Sequence, residues 1–279
     1  QSHNGKFTHQ GDWRHAWDFE VMDEEGLTYA GEGKSHEDYY AYNKPVIAPS
    51  DGHVEEIIDE VEENEIGTVD LEHNWGNTII LRHADQLYSK LSHLKKGSFK
   101  VAAGDDVKKG QVVAACGNSG RSPVPHIHFQ LQGTPYIGSR TLDYPVSHFI
   151  RHKSGVFELR SYESPENNVM VSNITKNASL EKAFQFIPGQ KFQFMVKPES
   201  AKEYQIGWEV QVDAMNQTNI YCEQTKSRAW FRNDGDIHYF TYFEGDRSSL
   251  LFKFFLGAYK VMMGYYPNLL VKDQYPVNT

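Results

Sequence analysis

The chain has 279 residues, with 39% hydrophobic and 23% charged residues and a formal net charge of −9. This composition is that of an ordinary globular protein, and a chain of this length favours about two domains. The excess of acidic residues argues against a nucleic-acid partner, since phosphate binding depends on lysine and arginine, and no apolar run reaches the ~20 residues that a membrane-spanning helix needs.

The first predicted strand lies near the amino terminus, in the segment RHAWDFEV at residues 14–21. It carries Asp18 between two aromatic residues. A carboxylate in that setting is costly to bury unless it is paired or bound to a metal. Of the histidines that precede it, either His9 or His15 could share a metal ion with Asp18.

Up to about residue 150 the sequence consists of short apolar runs separated by turn residues, and no 3.6-residue period persists through it. The pattern predicts a compact antiparallel β domain over residues 1–150, closed by a short helix around residues 146–150. The runs that we interpret as its later strands are NKPVIAPSDGHVEEIIDEV, GNTIILRH, LYSKLSHL, VAAGDDVKKGQVVAACGNSG and PHIHFQL.

From about residue 155 alternating or continuous apolar runs follow one another, separated by Asn, Asp, Gly and Ser. Turn residues at such regular spacing predict a β-sandwich-like accessory domain over residues 155–279. No cluster of titratable residues stands out in it. The runs include KFQFMVKP, YQIGWEVQVDAM, RAWFRN, IHYFTYFEG and LLFKFFLGAYKVMMGYY.

The segment PHIHFQL at residues 125–131 places His126 and His128 two positions apart in a predicted strand. Residues with this spacing point to the same face, with roughly 6.5–7 Å between them along the strand. Both imidazoles are therefore expected to face one space. Taken alone, such a pair also fits a solvated polar strand face.

A catalytic zinc ion usually takes three ligands from His, Asp, Glu or Cys and keeps one position for water. Asp18 and one histidine of the pair would supply two ligands, and His9 or His15 the third. In an extended chain His15 and Asp18 are three apart and point to opposite faces. We therefore prefer His9, with His15 as the alternative.

Six segments, taken in order, resemble the lysostaphin/LytM-type zinc metallopeptidases, the peptidoglycan endopeptidases. They are HQGDWRHAWDF, PVIAPSDGHV, NWGNTIILRH, YSKLSHL, GDDVKKGQVVAACGNSGRS and PHIHFQL. The resemblance covers most of residues 9–132. It implies a small antiparallel β-sheet groove with one zinc ion per chain at its floor.

By this resemblance Asp18 and His128 are zinc ligands, and His126 and His93 are the catalytic histidines. The usual first motif of the family is H-x-x-x-D, but this chain has Arg14 four residues before Asp18. The longer spacing from His9 matches other members of the family. His9 therefore stays the preferred third ligand.

The expected function is that of a zinc endopeptidase cutting peptide bonds in peptidoglycan stems or cross-bridges. Its partner would be the peptide substrate, and the protein is expected to be exported to the periplasm, the outer membrane surface or the medium. The alternative is a catalytically inactive relative that acts as a cell-wall binding or regulatory module.

Overall fold

The computed structural model describes residues 3, 9–199 and 202–272. They form two compact units, one within Gln1–Pro145 and Ser164–Asn168, the other within Val146–Glu163 and Val169–Thr279. The predicted all-β class is confirmed for both, since sheets dominate each unit. None of the helices in the described part of the chain is long and apolar enough to cross a membrane.

A six-stranded antiparallel sheet of order β1-β8-β5-β4-β3-β6 forms the first unit, and β2 pairs separately with β7. Every strand that carries a proposed site residue was expected from the sequence. The strands are β1 (Trp17–Phe19), β2 (Pro45–Ile47), β3 (Gly52–Ile58), β4 (Asn77–Ala84), β5 (Leu87–Leu94), β6 (Asp106–Val107), β7 (Val112–Ala115) and β8 (Ile127–Gln132). A 3-10 turn covers His36–Asp38.

The two faces of the central strands carry different chemistry. Ile79 and Leu91 are buried in the apolar core, and Phe129 packs against it. Because side chains alternate along a strand, the residues next to Ile79 and Leu91 in sequence point to the opposite face of the sheet. There Thr78 Oγ1 lies 2.9 Å from Ser92 Oγ, and Ser92 is paired with His128 on the next strand. The period of two thus separates an apolar face from a polar face that bears the site.

Two further sheets make up the second unit, with orders β11-β9-β10-β18 and β12-β13-β14-β15-β16-β17. All pairs in them are antiparallel except β10 with β18, which is parallel. The elements are β9 (Val146–Lys153), β10 (Val156–Glu163), β11 (Met170–Ser172), α1 (Ala178–Ala183), β12 (Lys191–Val196), β13 (Tyr204–Val212), β14 (Thr218–Cys222), β15 (Ser227–Asn233), β16 (Ile237–Glu244), α2 (Leu250–Gly257), β17 (Lys260–Met262) and β18 (Leu269–Val271).

The short helix predicted around residues 146–150 is wrong, because these residues begin β9. This strand pairs with β10 through a two-residue loop, Ser154–Gly155, whose φ angles are 49° and 78°. Positive φ at both loop positions is the geometry that joins tightly paired antiparallel strands. The Ser-Gly turn therefore makes the segment a hairpin.

The apolar run LLFKFFLG, expected to belong to a strand, forms α2 instead. Ser249 caps this helix, its hydroxyl oxygen accepting a hydrogen bond from the backbone N–H of Phe252. Leu251 and Phe255 lie four residues apart and are both buried. The cap and the i, i+4 pair are helix signals that the continuous hydrophobicity of the segment conceals.

His238 on β16 is an unusual member of the aromatic core of the second unit. Its side chain is fully buried, and neither ring nitrogen has a hydrogen-bond partner among the described residues. The rings of Phe184 and Phe240 both lie 4.9 Å from it, and those of Phe186 and Phe231 lie 5.5 and 5.4 Å away. Burial lowers the pKa of His238 from 6.5 to about 4.

This lowered pKa predicts an acid-sensitive second unit. Between about pH 6.5 and pH 4, His238 is protonated in the unfolded chain but stays neutral in the folded chain. The free energy of unfolding therefore falls as the pH drops through this window. From pH 7 to pH 4.5, His238→Phe should reduce that loss by about 2–3 kcal/mol, as measured by urea denaturation. His73→Phe, at an exposed position in the first unit, is the control. An equal loss of stability in wild type and His238→Phe would contradict the assignment.

Candidate functional site

The site is organised by the pairing of β1 with β8. In this antiparallel pair Asp18 lies directly opposite His128, and the next pair along, Trp17 with Phe129, stacks with ring centroids 6.1 Å apart. Asp18 Oδ1 lies 2.9 Å from His128 Nδ1. The aromatic pair holds the strands in register, so the expected meeting of Asp18 and His128 is found in the structure.

His3 completes a group of three candidate metal ligands. Its Nε2 lies 2.8 Å from Asp18 Oδ2, and its backbone N–H donates to the carbonyl of Ala16 at 2.9 Å. One ligand atom from each of His3, Asp18 and His128 lies within 4.8 Å of the other two. Two imidazoles and a carboxylate at this spacing match the ligand set of a catalytic zinc site.

His9 and His15, the residues considered for the third ligand, lie outside this group. His9 is exposed. His15 Nδ1 instead lies 3.7 Å from Asp143 Oδ1. Sequence reasoning missed His3 because it lies fifteen residues before Asp18, and a backbone hydrogen bond to Ala16 helps to bring it to the site.

A chain of side-chain amides fixes the orientation of His128. The amide nitrogen of Gln132 donates to the backbone carbonyls of Thr134 and Tyr136 at 2.8 and 3.1 Å. Its amide oxygen therefore accepts from Gln130 Nε2 at 2.8 Å. That leaves Gln130 Oε1 as the acceptor 2.9 Å from His128 Nε2. The order of donors and acceptors is set by two carbonyls, which cannot donate.

As a result the neutral imidazole of His128 carries its proton on Nε2 and directs the lone pair of Nδ1 at the carboxylate of Asp18. A lone pair and a carboxylate oxygen repel each other unless a cation or a proton lies between them. Metal-bound histidines commonly donate their other ring N–H in this way, which fixes the coordinating nitrogen. The donor set therefore fits a metal ion.

The ionisation of the two residues agrees with this geometry. Burial alone would raise the pKa of Asp18, but the imidazoles of His128 and His3, in contact with its two oxygens, outweigh burial and hold the pKa well below its usual value. Burial lowers the pKa of His128, although Asp18 opposes the shift. A carboxylate and a neutral imidazole are the ionisation states that bind divalent zinc.

His93, the next-to-last residue of β5, has a positive φ of 65°, a conformation uncommon outside glycine. Its Nδ1–H donates to the carbonyl of Ser119 at 2.8 Å, and its ring lies 4.8 Å from that of His126. Burial, together with the neighbouring histidines, lowers the pKa of His93 well below its usual value. A neutral ring bonded through Nδ1 leaves Nε2 free to accept a proton.

His126 is held in the same manner. Its Nδ1 lies 2.8 Å from the carbonyl of Val124 and 3.2 Å from Ser122 Oγ. Its Nε2 lies 3.9 Å from Asp18 Oδ1. The structure thus brings the two histidines predicted to be catalytic to the metal-ligand group, each with one ring nitrogen fixed by a backbone carbonyl.

The loop 117–122 supplies the carbonyl that orients His93, and buried hydrogen bonds hold this loop. Ser119 Oγ donates to the carbonyl of Leu94 at 2.8 Å and accepts the backbone N–H of Asn77 at 2.9 Å. The side chain of Asn64 donates to the carbonyls of both Gly120 and Ser122. These bonds make the loop a rigid support.

These groups open into a cleft of about 280 Å³. It is lined by His3, Asp18, His93, His126 and His128 and by the indoles of Trp13 and Trp75. A larger cavity of about 500 Å³ lies in the second unit beside β10 and β18. It contains no histidine, so the candidate metal chemistry belongs to the smaller cleft.

Residues 37–138 match the model of peptidase family M23, which confirms the predicted metallopeptidase resemblance for this segment. The matched range includes His93, His126 and His128, whereas His3 and Asp18 precede it. An uncharacterized metalloprotease of Haemophilus influenzae is 37% identical over 86 residues, which are 31% of this chain and 15% of that protein.

The peptidoglycan DD-endopeptidase ShyC of Vibrio cholerae is 30% identical over 80 residues, 28% of this chain and 18% of its own length. The chain therefore spans less than a fifth of either relative. Among solved structures, lysostaphin of Staphylococcus simulans aligns over 74% of this chain and 85% of its own, with 16% identity and a TM-score of 0.29. This score is too low to compare the two folds.

The close approach of Gly120 to Gly76 predicts that the loop cannot accept a side chain. Gly120 has a φ of +76°, and an added Cβ would lie 2.3 Å from the backbone nitrogen of Gly76. Gly97, with a φ of +70° and open space around it, is the matched control. Gly120→Ala should lower the free energy of unfolding by at least about 2 kcal/mol more than Gly97→Ala, measured by urea denaturation. Equal losses of unfolding free energy in the two variants would show that the loop can shift to accommodate a side chain at position 120.

Proposed function

We propose that this chain is a zinc-dependent endopeptidase that hydrolyses peptide bonds in bacterial peptidoglycan, in stem peptides or cross-bridges. The observation that carries the proposal is the amide-fixed lone pair of His128, aimed at the carboxylate of Asp18 across 2.9 Å. A divalent cation bound to both residues would remove the repulsion between this lone pair and the carboxylate. The substrate class is supported by the similarity to a protein named as a peptidoglycan endopeptidase.

The residues that would hold zinc are His3, Asp18 and His128, with His9 and then His15 as the alternatives from sequence. Three protein ligands leave one coordination position for water or substrate. When bound, zinc supplies polarisation of the scissile carbonyl and acidification of water. The single group of this kind among the described residues supports one ion per chain.

His93 and His126 would move protons and stabilise developing charge. His93 keeps its proton on Nδ1, against Ser119, so its Nε2 can accept the proton of an attacking water. The Nδ1 of His126 is engaged by Val124, so its Nε2, 3.9 Å from Asp18 Oδ1, is the ring nitrogen left for the reacting group. Once protonated, this nitrogen would donate a hydrogen bond to the oxyanion.

Because peptidoglycan lies outside the cytoplasm, the proposal includes export to the periplasm, the outer membrane surface or the medium. The net charge of −9 and the metallopeptidase resemblance give no reason to add a nucleic-acid partner. The catalytically inactive alternative predicts a protein that binds cell-wall material without cutting it.

Substitutions at the candidate ligands test the metal site. His3→Ala, Asp18→Asn and His128→Ala should each reduce bound zinc from about one per chain to a small fraction, since each removes one of three protein ligands. His9→Ala and His15→Ala should retain zinc. The measurement is mass-spectrometric metal content after dialysis against zinc-free buffer.

Loss of zinc in His9→Ala with retention in His3→Ala would restore the sequence-based choice of ligand. Retention of zinc in both Asp18→Asn and His128→Ala would instead refute the site as a whole. Circular dichroism on each variant distinguishes the loss of a ligand from the loss of the fold.

Substitution of the second pair of histidines separates catalysis from metal binding. His93→Gln and His126→Gln should keep zinc but hydrolyse purified peptidoglycan on the order of 100-fold more slowly, as expected when a positioned acid or base is removed. His83→Gln, in the same unit and bonded to Asp51 and Ser89, is the control and should retain activity. Unimpaired hydrolysis by both variants would remove these histidines from the mechanism.

A wild-type protein that holds zinc and binds peptidoglycan but releases no peptide fragments would support the inactive alternative. Chromatography of the digest, with mass spectrometry of the fragments, identifies the bond that is cut. It also provides the direct test of the proposed substrate.

A further inference from the structure

One wall of the cleft is supported by a ladder of side chains in which two indoles meet edge to face and a cation lies over each indole. The ammonium of Lys90 lies 3.1 Å from the centroid of the Trp75 ring, and that ring lies 5.1 Å from His128. Trp75 meets Trp13 edge to face at 6.0 Å, and the guanidinium of Arg121 lies 5.2 Å over Trp13. Cations above aromatic faces are attracted by the ring quadrupole, so each member of the ladder fixes the next.

The inner end of the ladder is enclosed by protein. Lys90 is fully buried, and its ammonium nitrogen has no hydrogen-bond partner among the described residues. Burial lowers its pKa to about 7, so its charge is partial near neutrality. Lys90 lies behind Trp75 and does not line the cleft. Its contribution is to hold the indole against the site.

The outer end is different, because Arg121 lines the cleft and is exposed. Its guanidinium forms no salt bridge with any of the residues that the structure describes. An arginine stays charged at every physiological pH. The cleft therefore presents a permanent cation that lies over an aromatic ring and has no carboxylate partner among those residues.

The backbone of Arg121 is fixed as firmly as its side chain. Its N–H donates to the carbonyl of Asn74 at 2.8 Å. Asn64 holds the residues on both sides, with its amide donating to the carbonyls of Gly120 and Ser122 at 2.6 and 3.0 Å. An arginine whose main chain is fixed and whose guanidinium lies over an indole loses less freedom on binding a ligand, and such preorganisation favours affinity.

We propose that Arg121, supported on Trp13, forms a carboxylate-binding subsite of the cleft that selects peptides bearing a free carboxyl group near the scissile bond. The inference rests on the proposed peptidase function and adds to it a chemical preference. Arginine donates two parallel hydrogen bonds to a carboxylate. A carboxamide is neutral and cannot accept both bonds, so amidation of the substrate would weaken binding.

The test is a pair of synthetic stem-peptide dimers, identical except that their carboxyl groups are either free acids or primary amides. Binding of each to the full chain is measured by isothermal titration calorimetry after chelator treatment, so that hydrolysis does not consume the ligand. Wild type should bind the free acid about tenfold more tightly than the amide, a modest effect for a charge-assisted pair. Arg121→Gln should reduce this ratio to about one, and Arg121→Lys should leave an intermediate ratio because a lysine keeps charge without the fork.

Arg82→Gln is the matched control and should keep the tenfold ratio. Arg82 lies on β4 and is paired with Glu55. A wild-type ratio near one, undetectable binding of the free acid, or a ratio still near ten in Arg121→Gln overturns the subsite. Hydrolysis of the same peptides by the zinc-loaded chain is scored separately. Tighter binding of the free acid without hydrolysis would refute the proposed function but support the carboxylate subsite. Hydrolysis without any preference for the free acid would support the proposed function but refute the subsite.

Discussion

The functional site depends on one short antiparallel pairing, which sets Asp18 against His128. The pairing involves only the three residues of β1, and stacked aromatic rings beside it keep the register. A slip by one residue would turn Asp18 to the opposite face. The carboxylate of Asp18 would then lose its contact with the imidazole of His128. The group of candidate ligands found among the described residues contains no second carboxylate.

The second constraint is the direction of the hydrogen bonds behind the site. Carbonyl oxygens at the ends of these chains cannot donate, so they decide which nitrogen of each histidine carries a proton. For His128 the protonated nitrogen is set through hydrogen bonds of two glutamines, whereas His93 and His126 each contact a backbone carbonyl directly. All three rings consequently present an unprotonated nitrogen to the same region. This common arrangement is what makes the cluster suited to metal and proton chemistry.

The second unit shows how differently a buried histidine behaves when nothing organises it. His238 lies among phenylalanine rings, and neither of its nitrogens has a hydrogen-bond partner in the part of the chain that the structure describes. The contrast with His128 is instructive, because both rings are buried and both have a lowered pKa. Partners at hydrogen-bond distance, and not burial, distinguish the candidate ligand from the core residue.

The sequence by itself determined the strands that carry the site, since period-two alternation and turn residues are local properties. It also determined Asp18, His93, His126 and His128 as candidates, through their motifs. Tertiary structure alone decided that β2 and β3, adjacent in the chain, pair with different strands, because pairing over long separations leaves no local pattern. It also decided that His3 joins Asp18 while His9 stays exposed: a backbone bond to Ala16 brings a distant residue to the site, and spacing along the chain does not encode that contact.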